Sequence, residues 1–293
     1  MAETMWDEQF GYLASTRGLY YNDDYLEFLV RTVWKMDKPL RIVDYGCGFG
    51  YLGLKLLPLL PEGSTYTGMD SSPELIKQAE EIFAKLPYEV NFILTDITRN
   101  TVEQQYDVAV CHAFLLHMEE PVAMLQKMVA SVVNGGRIIC FEPHWIMNMA
   151  GYSYEAHGMA ELVPLGSLQK LYEWKREREG KDGNIGIRLP FYFSQLGLKQ
   201  IECRVSDKVN FLNPAEEMTE SEDLYAKLKA EGIGHPPNNN QDEWAQSLIK
   251  RGLTSDEAHR QYEAEHRMSQ LFRPESCFAY APGMKITFGT VSR

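Results

Sequence analysis

The sequence has no run of roughly 18 apolar residues, the length a helix needs to cross a bilayer. Its Met1-Ala2-Glu3 opening lacks the basic-then-apolar order of a secretory signal, so the expected compartment is the cytoplasm, with no membrane partner. Cysteine is sparse. The five thiols (Cys47, Cys111, Cys140, Cys203 and Cys277) are odd in number and nowhere form C-x-x-C, which argues against a disulfide framework or a zinc site. Free thiols and no metal are expected. Positive charge is also short: 29 Lys and Arg against 41 Asp and Glu leave a formal charge of -12. Such a field repels phosphate polyanions, so no nucleic-acid partner is expected. What remains is a chain of 293 residues with 44% hydrophobic content, enough to bury the core of one large domain with insertions.

Strand-like and helix-like patterns alternate from about residue 40 to 143. Leu40 to Tyr45, Thr65 to Met69, Val90 to Leu94, Tyr106 to Cys111 and Arg137 to Phe141 read as five strands. Between them lie helical stretches at Leu52 to Leu60, from Pro73 to about Lys85, and through about Val133, where Asn134-Gly135-Gly136 ends the last. A helix over Gly186 to Leu196 and strands at Lys199 to Val205 and Met284 to Val291 complete the pattern. Repeated β-α units imply a parallel sheet, because right-handed crossovers are almost the only connection available. The predicted fold is α/β, a Rossmann-like, seven-stranded, mostly parallel sheet with helices on both faces. An aromatic-rich helical cover is expected over 1–39, the core over 40–143, a cover segment over 144–185, completion of the sheet by 186–208 and 274–293, and a helical insertion over 209–273. Within the insertion, Thr254-x-x-Glu257 fits a capping box.

Ligands of such sheets sit beyond the carboxyl ends of the strands, and the strongest chemical signal lies there. In Asp44-x-Gly46-x-Gly48-x-Gly50 the glycines let the backbone approach a ligand and adopt angles other residues resist. Gly48-x-Gly50-x-x-Gly53 also satisfies the dinucleotide fingerprint, and a simple tight turn is a third reading. Three acids sharpen the choice. Asp44 would be unwelcome beside a pyrophosphate but suits a ligand carrying an ammonium group. Asp70, closing the second strand, can accept from both hydroxyls of a ribose. Asp96 can accept from an adenine amino group while Ile97 packs on the base, although a strand-end Asp is also a common helix cap.

Together with Asn134-Gly135-Gly136, these residues resemble the class I S-adenosylmethionine-dependent methyltransferase family of small-molecule type, over roughly residues 20 to 143. The resemblance implies S-adenosylmethionine as cofactor, S-adenosylhomocysteine as product and a small-molecule acceptor. It implies a cofactor site in which the loop Gly46, Cys47, Gly48 and Gly50 meets the methionine part, Asp70 the ribose, and Asp96 with Ile97 the adenine; Asp44, Met69 and Ser71 are counted with the same site. His112 follows the fourth strand on the methionine side, and Tyr21 in the N-terminal cover is a further candidate. Gly186-x-Arg188-Leu189-Pro190 resembles a stretch found before the sixth strand in many members.

Methyl transfer by direct displacement rests on alignment and excluded water, so a general base is optional. Where the acceptor must lose a proton, the candidates are His112, His117, Glu142 and His144, all near the ends of strands four and five. Each also has a packing or turn-forming explanation. An NAD-dependent oxidoreductase and a non-catalytic cofactor-binding module remain as alternatives. His259 and His266, seven apart on a predicted helix, lack further ligands for a metal. The acidic run Glu216-Glu217, Glu220, Glu222 and Asp223 reads as a solvated face.

Overall fold

The computed structural model describes residues 10–100, 102, 105–155, 157–215 and 218–293; Trp6 and the Glu216-Glu217 pair lie outside the described residues. Seven strands form the main sheet: β1 (Arg41–Tyr45), β2 (Thr65–Asp70), β3 (Glu89–Leu94), β4 (Tyr106–His112), β5 (Val132–Glu142), β7 (Lys199–Val205) and β10 (Lys285–Thr290). Their order is β3-β2-β1-β4-β5-β10-β7, and only β10 runs antiparallel to its neighbours. The order reverses between β1 and β4, which opens a crevice at the carboxyl ends of those strands. Central strands are covered on both faces, which explains why Ile42-Val43 and Val108 to Cys111 are continuous apolar runs rather than alternating ones.

Three short helices precede the second crossover: α1 (Phe10–Thr16), α2 (Asp23–Phe28) and α3 (Tyr51–Leu56). The next, α4 (Pro73–Phe83), starts where Ser72 accepts from the Leu75 N–H at 3.2 Å and Pro73 sets the first turn. Helices α2, α3 and α4 lie over one face of the sheet, where Leu26, Leu52, Leu56 and Phe83 join Trp34, Tyr66 and Phe141. The other face is packed by α5 (Pro121–Ser131) and later by α9 (Leu189–Gln195), through Met124, Leu125, Met128, Leu189 and Phe193. Each such fully buried side chain contributes about 1.5–3 kcal/mol of burial energy before the entropy of ordering is subtracted.

Helix α5 stops at Ser131 rather than Val133, because Val132 already pairs with Tyr106 of β4. Asn134-Gly135-Gly136 is therefore an irregularity inside β5, with Gly135 at φ +82° and its N–H on the Val291 carbonyl. The stretch from Gly186 also differs: a 3-10 turn occupies Ile185–Ile187 and α9 begins at Leu189, since Pro190 belongs in a first turn.

A second, antiparallel sheet has no counterpart in the sequence reading. It joins β6 (Tyr152–Tyr154), β9 (Phe278–Tyr280) and β8 (Asn210–Leu212) in the order β6-β9-β8. Around it lie α6 (Trp145–Ala150), α7 (Met159–Leu162), α8 (Leu165–Glu179), α10 (Met218–Ala230), α11 (Gln241–Lys250) and α12 (Ser255–Leu271). Leu162, Leu212, Leu228, Met268, Phe272 and Phe278 form its own core. The predicted capping box is present on α12: Thr254 accepts from the Glu257 N–H at 3.3 Å, and Glu257 accepts from the Thr254 N–H at 2.9 Å. Among the described residues, no helix is long and apolar enough to cross a membrane.

The N-terminal segment bridges the two sheets. On the core side the Tyr51 hydroxyl donates to the Arg17 carbonyl at 3.1 Å, and Lys55 pairs with Asp23 at 2.6 Å. On the other side Asn22 donates twice to Asp207, Lys208 donates to the Gly18 carbonyl, and Asn210 donates to that of Leu19.

Candidate active site

A cleft enclosing about 870 Å³, open solvent at its mouth included, lies at the carboxyl ends of β1, β2 and β4. Asp44, Gly46, Cys47 and Gly48 line it from the first loop, Asp70 and Ser71 from the second, and Asp96 and Ile97 from the third. His112 and His117 line the opposite side. The structure thus gathers ten predicted residues into one wall.

The first loop turns tightly, with Gly46, Gly48 and Gly50 all at positive φ. Their uses differ. A Cβ on Gly48 would meet nothing nearer than 3.8 Å, so this residue leaves open space for a ligand. A Cβ on Gly50 would come within 2.6 Å of the Phe83 ring, and Gly50 is absent from the cleft wall. Gly50 is needed to bring α3 against α4, a correction to its place in the predicted cofactor set. The loop is held from β2: Asp70 accepts from the Gly48 N–H at 2.8 Å and from the Ser72 N–H at 2.9 Å.

Asp44 is buried, and one oxygen accepts from the Tyr66 hydroxyl at 2.6 Å. Its other oxygen, Oδ1, is buried with no hydrogen-bond partner. Burial pushes the Asp44 carboxyl up to about 7, against the pull of the Tyr66 hydrogen bond. At the far end Asp96 is exposed. It accepts from the Thr98 hydroxyl and N–H and pairs with Arg99, contacts that lower its pKa. Ile97 is buried beside it.

His112 packs among Tyr20, Tyr21, Tyr51 and Phe141, and its Nε2 lies 3.3 Å from the Tyr21 hydroxyl. Burial, with the nearby Arg17 charge, holds the imidazole well below its usual pKa, and His117 is pushed down to about 4 by the same causes. Both are neutral at pH 7. Tyr21 itself is buried beside His112 and is not among the residues that line the cleft. Met69 likewise points into the core beneath the sheet and offers only its backbone carbonyl, to the Cys47 N–H.

Glu142 takes a different task from the proton carrier expected of it. Its carboxylate accepts from the N–H groups of Phe114 at 2.9 Å, Leu115 at 2.7 Å and Leu116 at 3.3 Å, with the Cys111 thiol at 3.6 Å. It is fully buried and absent from the cleft wall, so it fixes the loop that carries His112 and His117. His144 opens α6 outside the cleft, which removes it from the proton carriers as well.

Sequence reasoning missed other wall residues. Phe49 and Thr98 neighbour predicted positions and were within reach of the motif. Leu13, Leu75, Phe114 and Met118 carry no local signal, since only the fold brings them to the cleft. Arg17, from the N-terminal cover, supplies the one Lys or Arg of the wall among the described residues. Among the described residues no cluster of three metal-binding side chains occurs.

Residues 43–138 match the family model of a methyltransferase domain. From β1 into β5 the chain is thus similar to methyltransferase domains. A ubiquinone biosynthesis O-methyltransferase of Klebsiella pneumoniae is 25% identical over 134 residues, 43% of this chain and 52% of the relative. A protein of the same description from Salmonella typhimurium is 26% identical over the same shares. The chain spans about half the length of the curated relatives it matches. The fold extends further than the sequence likeness. A phosphoethanolamine N-methyltransferase 2 of Haemonchus contortus covers 100% of this chain and 59% of its own at TM-score 0.53 and 12% identity. YjhP of E. coli covers 96% and 99% at TM-score 0.51 and 17% identity. The match ends inside β5, so the remaining wall of the cleft is described by this chain's own geometry.

Proposed function

We propose that the chain is an S-adenosylmethionine-dependent methyltransferase acting on a small-molecule acceptor in the cytoplasm. The observation that carries the reading is the order of carboxylates along one cleft. Asp44 Oδ1, buried and unpartnered, suits the ammonium of an amino-acid tail. Asp70 suits ribose hydroxyls, and Asp96 with Ile97 suits an amino-bearing base. Gly48 leaves the backbone approachable between the first two. Arg17 has the charge to meet the tail's carboxylate. The residues therefore fit the cofactor, which when bound supplies a methyl group activated on a sulfonium.

This chain's residues bind, align and shield. Phe49, Leu52, Leu75 and Ile97 exclude water from the cleft. His112 and His117, neutral at pH 7, could each accept the proton an acceptor hydroxyl gives up as its oxygen becomes a nucleophile, or take one from an acceptor ammonium before its nitrogen has a lone pair to offer. The dinucleotide alternative is disfavoured by Asp44, whose carboxylate beside the loop would repel a pyrophosphate.

The test is calorimetry and thermal stabilisation with S-adenosylmethionine, S-adenosylhomocysteine and NAD. Both sulfur nucleosides should raise the Tm and NAD should not. Asp70→Ala should weaken S-adenosylhomocysteine about 100-fold, since two ribose contacts and the anchor of the Gly48 loop are lost together. Preference for NAD, or no binding at all, would overturn the reading.

A further inference from the structure

Glu231 directly follows the last residue of α10, in front of Gly232 at φ +103°. Local rules argue against a carboxylate there, because a helix C-terminus disfavours negative charge. Burial makes the conflict worse. Oε2 is shut off from solvent without a hydrogen bond of ordinary geometry, and desolvation pushes the acid up to about 7 against the pull of the Tyr20 and Tyr280 hydroxyls. No side-chain cation pairs with it among the described residues; the groups facing it are Tyr12, Arg17 and Tyr20 from the N-terminal cover, Tyr152 from β6 and Tyr280 from β9. A residue that breaks local preference at such cost is retained for what it does elsewhere.

Its contacts run to His112. The Tyr20 hydroxyl donates to Glu231 Oε1. The Tyr20 ring then meets His112 edge-on at 6.5 Å and 77°, and touches Tyr21 at 6.2 Å. Tyr21 is the residue whose hydroxyl faces His112 Nε2. Fixing Tyr20 therefore limits both the imidazole and its polar partner, and the anchor comes from the insertion rather than from the Rossmann-like core. Contact between α1 and α10 runs beside the same junction.

We propose that Glu231 is a positioning residue for His112: through Tyr20 it sets the orientation and proton affinity of the imidazole, so that the insertion must be seated before the acceptor side of the cleft is formed. The catalytic consequence rests on the proposed role of His112; the positioning does not. Tyr20 needs only an oxygen acceptor at residue 231, so geometry rather than charge transmits the effect.

The experiment follows the His112 imidazole by long-range ¹H–¹⁵N NMR in the full chain, assigned with His112→Asn, between pH 4 and 8. It is run with and without S-adenosylhomocysteine, so failure of cofactor binding leaves the titration readable. Glu231→Ala and Tyr20→Phe should each raise the protonated fraction of His112 at a given pH about tenfold, one pKa unit. The double variant should show no more than either single one, and Glu231→Gln should match the parent protein. Tyr20→Phe tests the same link should Glu231→Ala fail to fold. An unchanged titration in Tyr20→Phe, additive effects, or Glu231→Gln behaving like Glu231→Ala would overturn the proposal.

Discussion

The side of the cleft built by β1, β2 and the segment after β3 comes from one stretch of chain, Asp44 to Thr98, and its polar groups are fastened from within that stretch. Asp70 holds Gly48 and Ser72, and Asp96 holds Thr98. The side around His112 is assembled from far apart: Tyr20 and Tyr21 from the cover, Phe141 and Glu142 from β5, and Glu231 from the insertion. The first side tolerates change in remote segments, whereas the second depends on several segments arriving together. On the proposed function, recognition of the nucleoside is thus a local property, and shaping of the acceptor side a tertiary one.

The largest expected break of this contrast is Glu142→Ala. Losing one carboxylate orphans three buried N–H groups, and urea unfolding should show a loss of about 3 kcal/mol. Next comes Gly50→Ala, where positive φ and the Phe83 ring together should cost about 2 kcal/mol by the same measurement. Gly48→Ala sharpens the comparison, since it should cost only about 1 kcal/mol of strain while weakening S-adenosylhomocysteine more than Gly50→Ala does. A smaller, pH-dependent effect belongs to Asp44. An ionised Asp44 favours the ligand's ammonium, so calorimetric affinity should rise about tenfold from pH 6 to 8, and Asp44→Asn should flatten that rise. The unliganded protein should move oppositely. The acids with raised pKa, Asp44, Glu142 and Glu231, keep protons that the unfolded chain has released, so their contribution falls as pH climbs from about 4 through about 7; His112 and His117, protonated only on unfolding, oppose this below about pH 6.5, and the net fall is expected above it. Thr254→Ala should be smallest, costing about 1 kcal/mol and leaving cofactor affinity untouched.

The sequence made the local half readable for the same reason that it is local. Alternate glycines after an apolar strand, and acids at strand ends, are signals spanning a few residues, and β7 was predicted at the bounds it has. Met69 misled because it adjoins Asp70, yet side chains alternate along a strand and its own faces the core. Glu142 next to Pro143 reads in sequence as a strand end; nothing nearby announces that its partners are the N–H groups of Phe114 to Leu116. The small sheet escaped because β6, β8 and β9 are three residues each, too short for a period of two to be counted. Glu231 carries no local signal, and only the fold sets it against Tyr20.

Leu13 and Arg17 belong to the cleft wall, while the residues that follow them are tied to both sheets. Under the proposed function this segment forms one side of the cofactor's exit, so release of product is expected to depend on its movement. Turnover then carries a departure step distinct from bond making, and a rapid first turnover followed by a slower steady rate is the kinetic trace such a closure leaves.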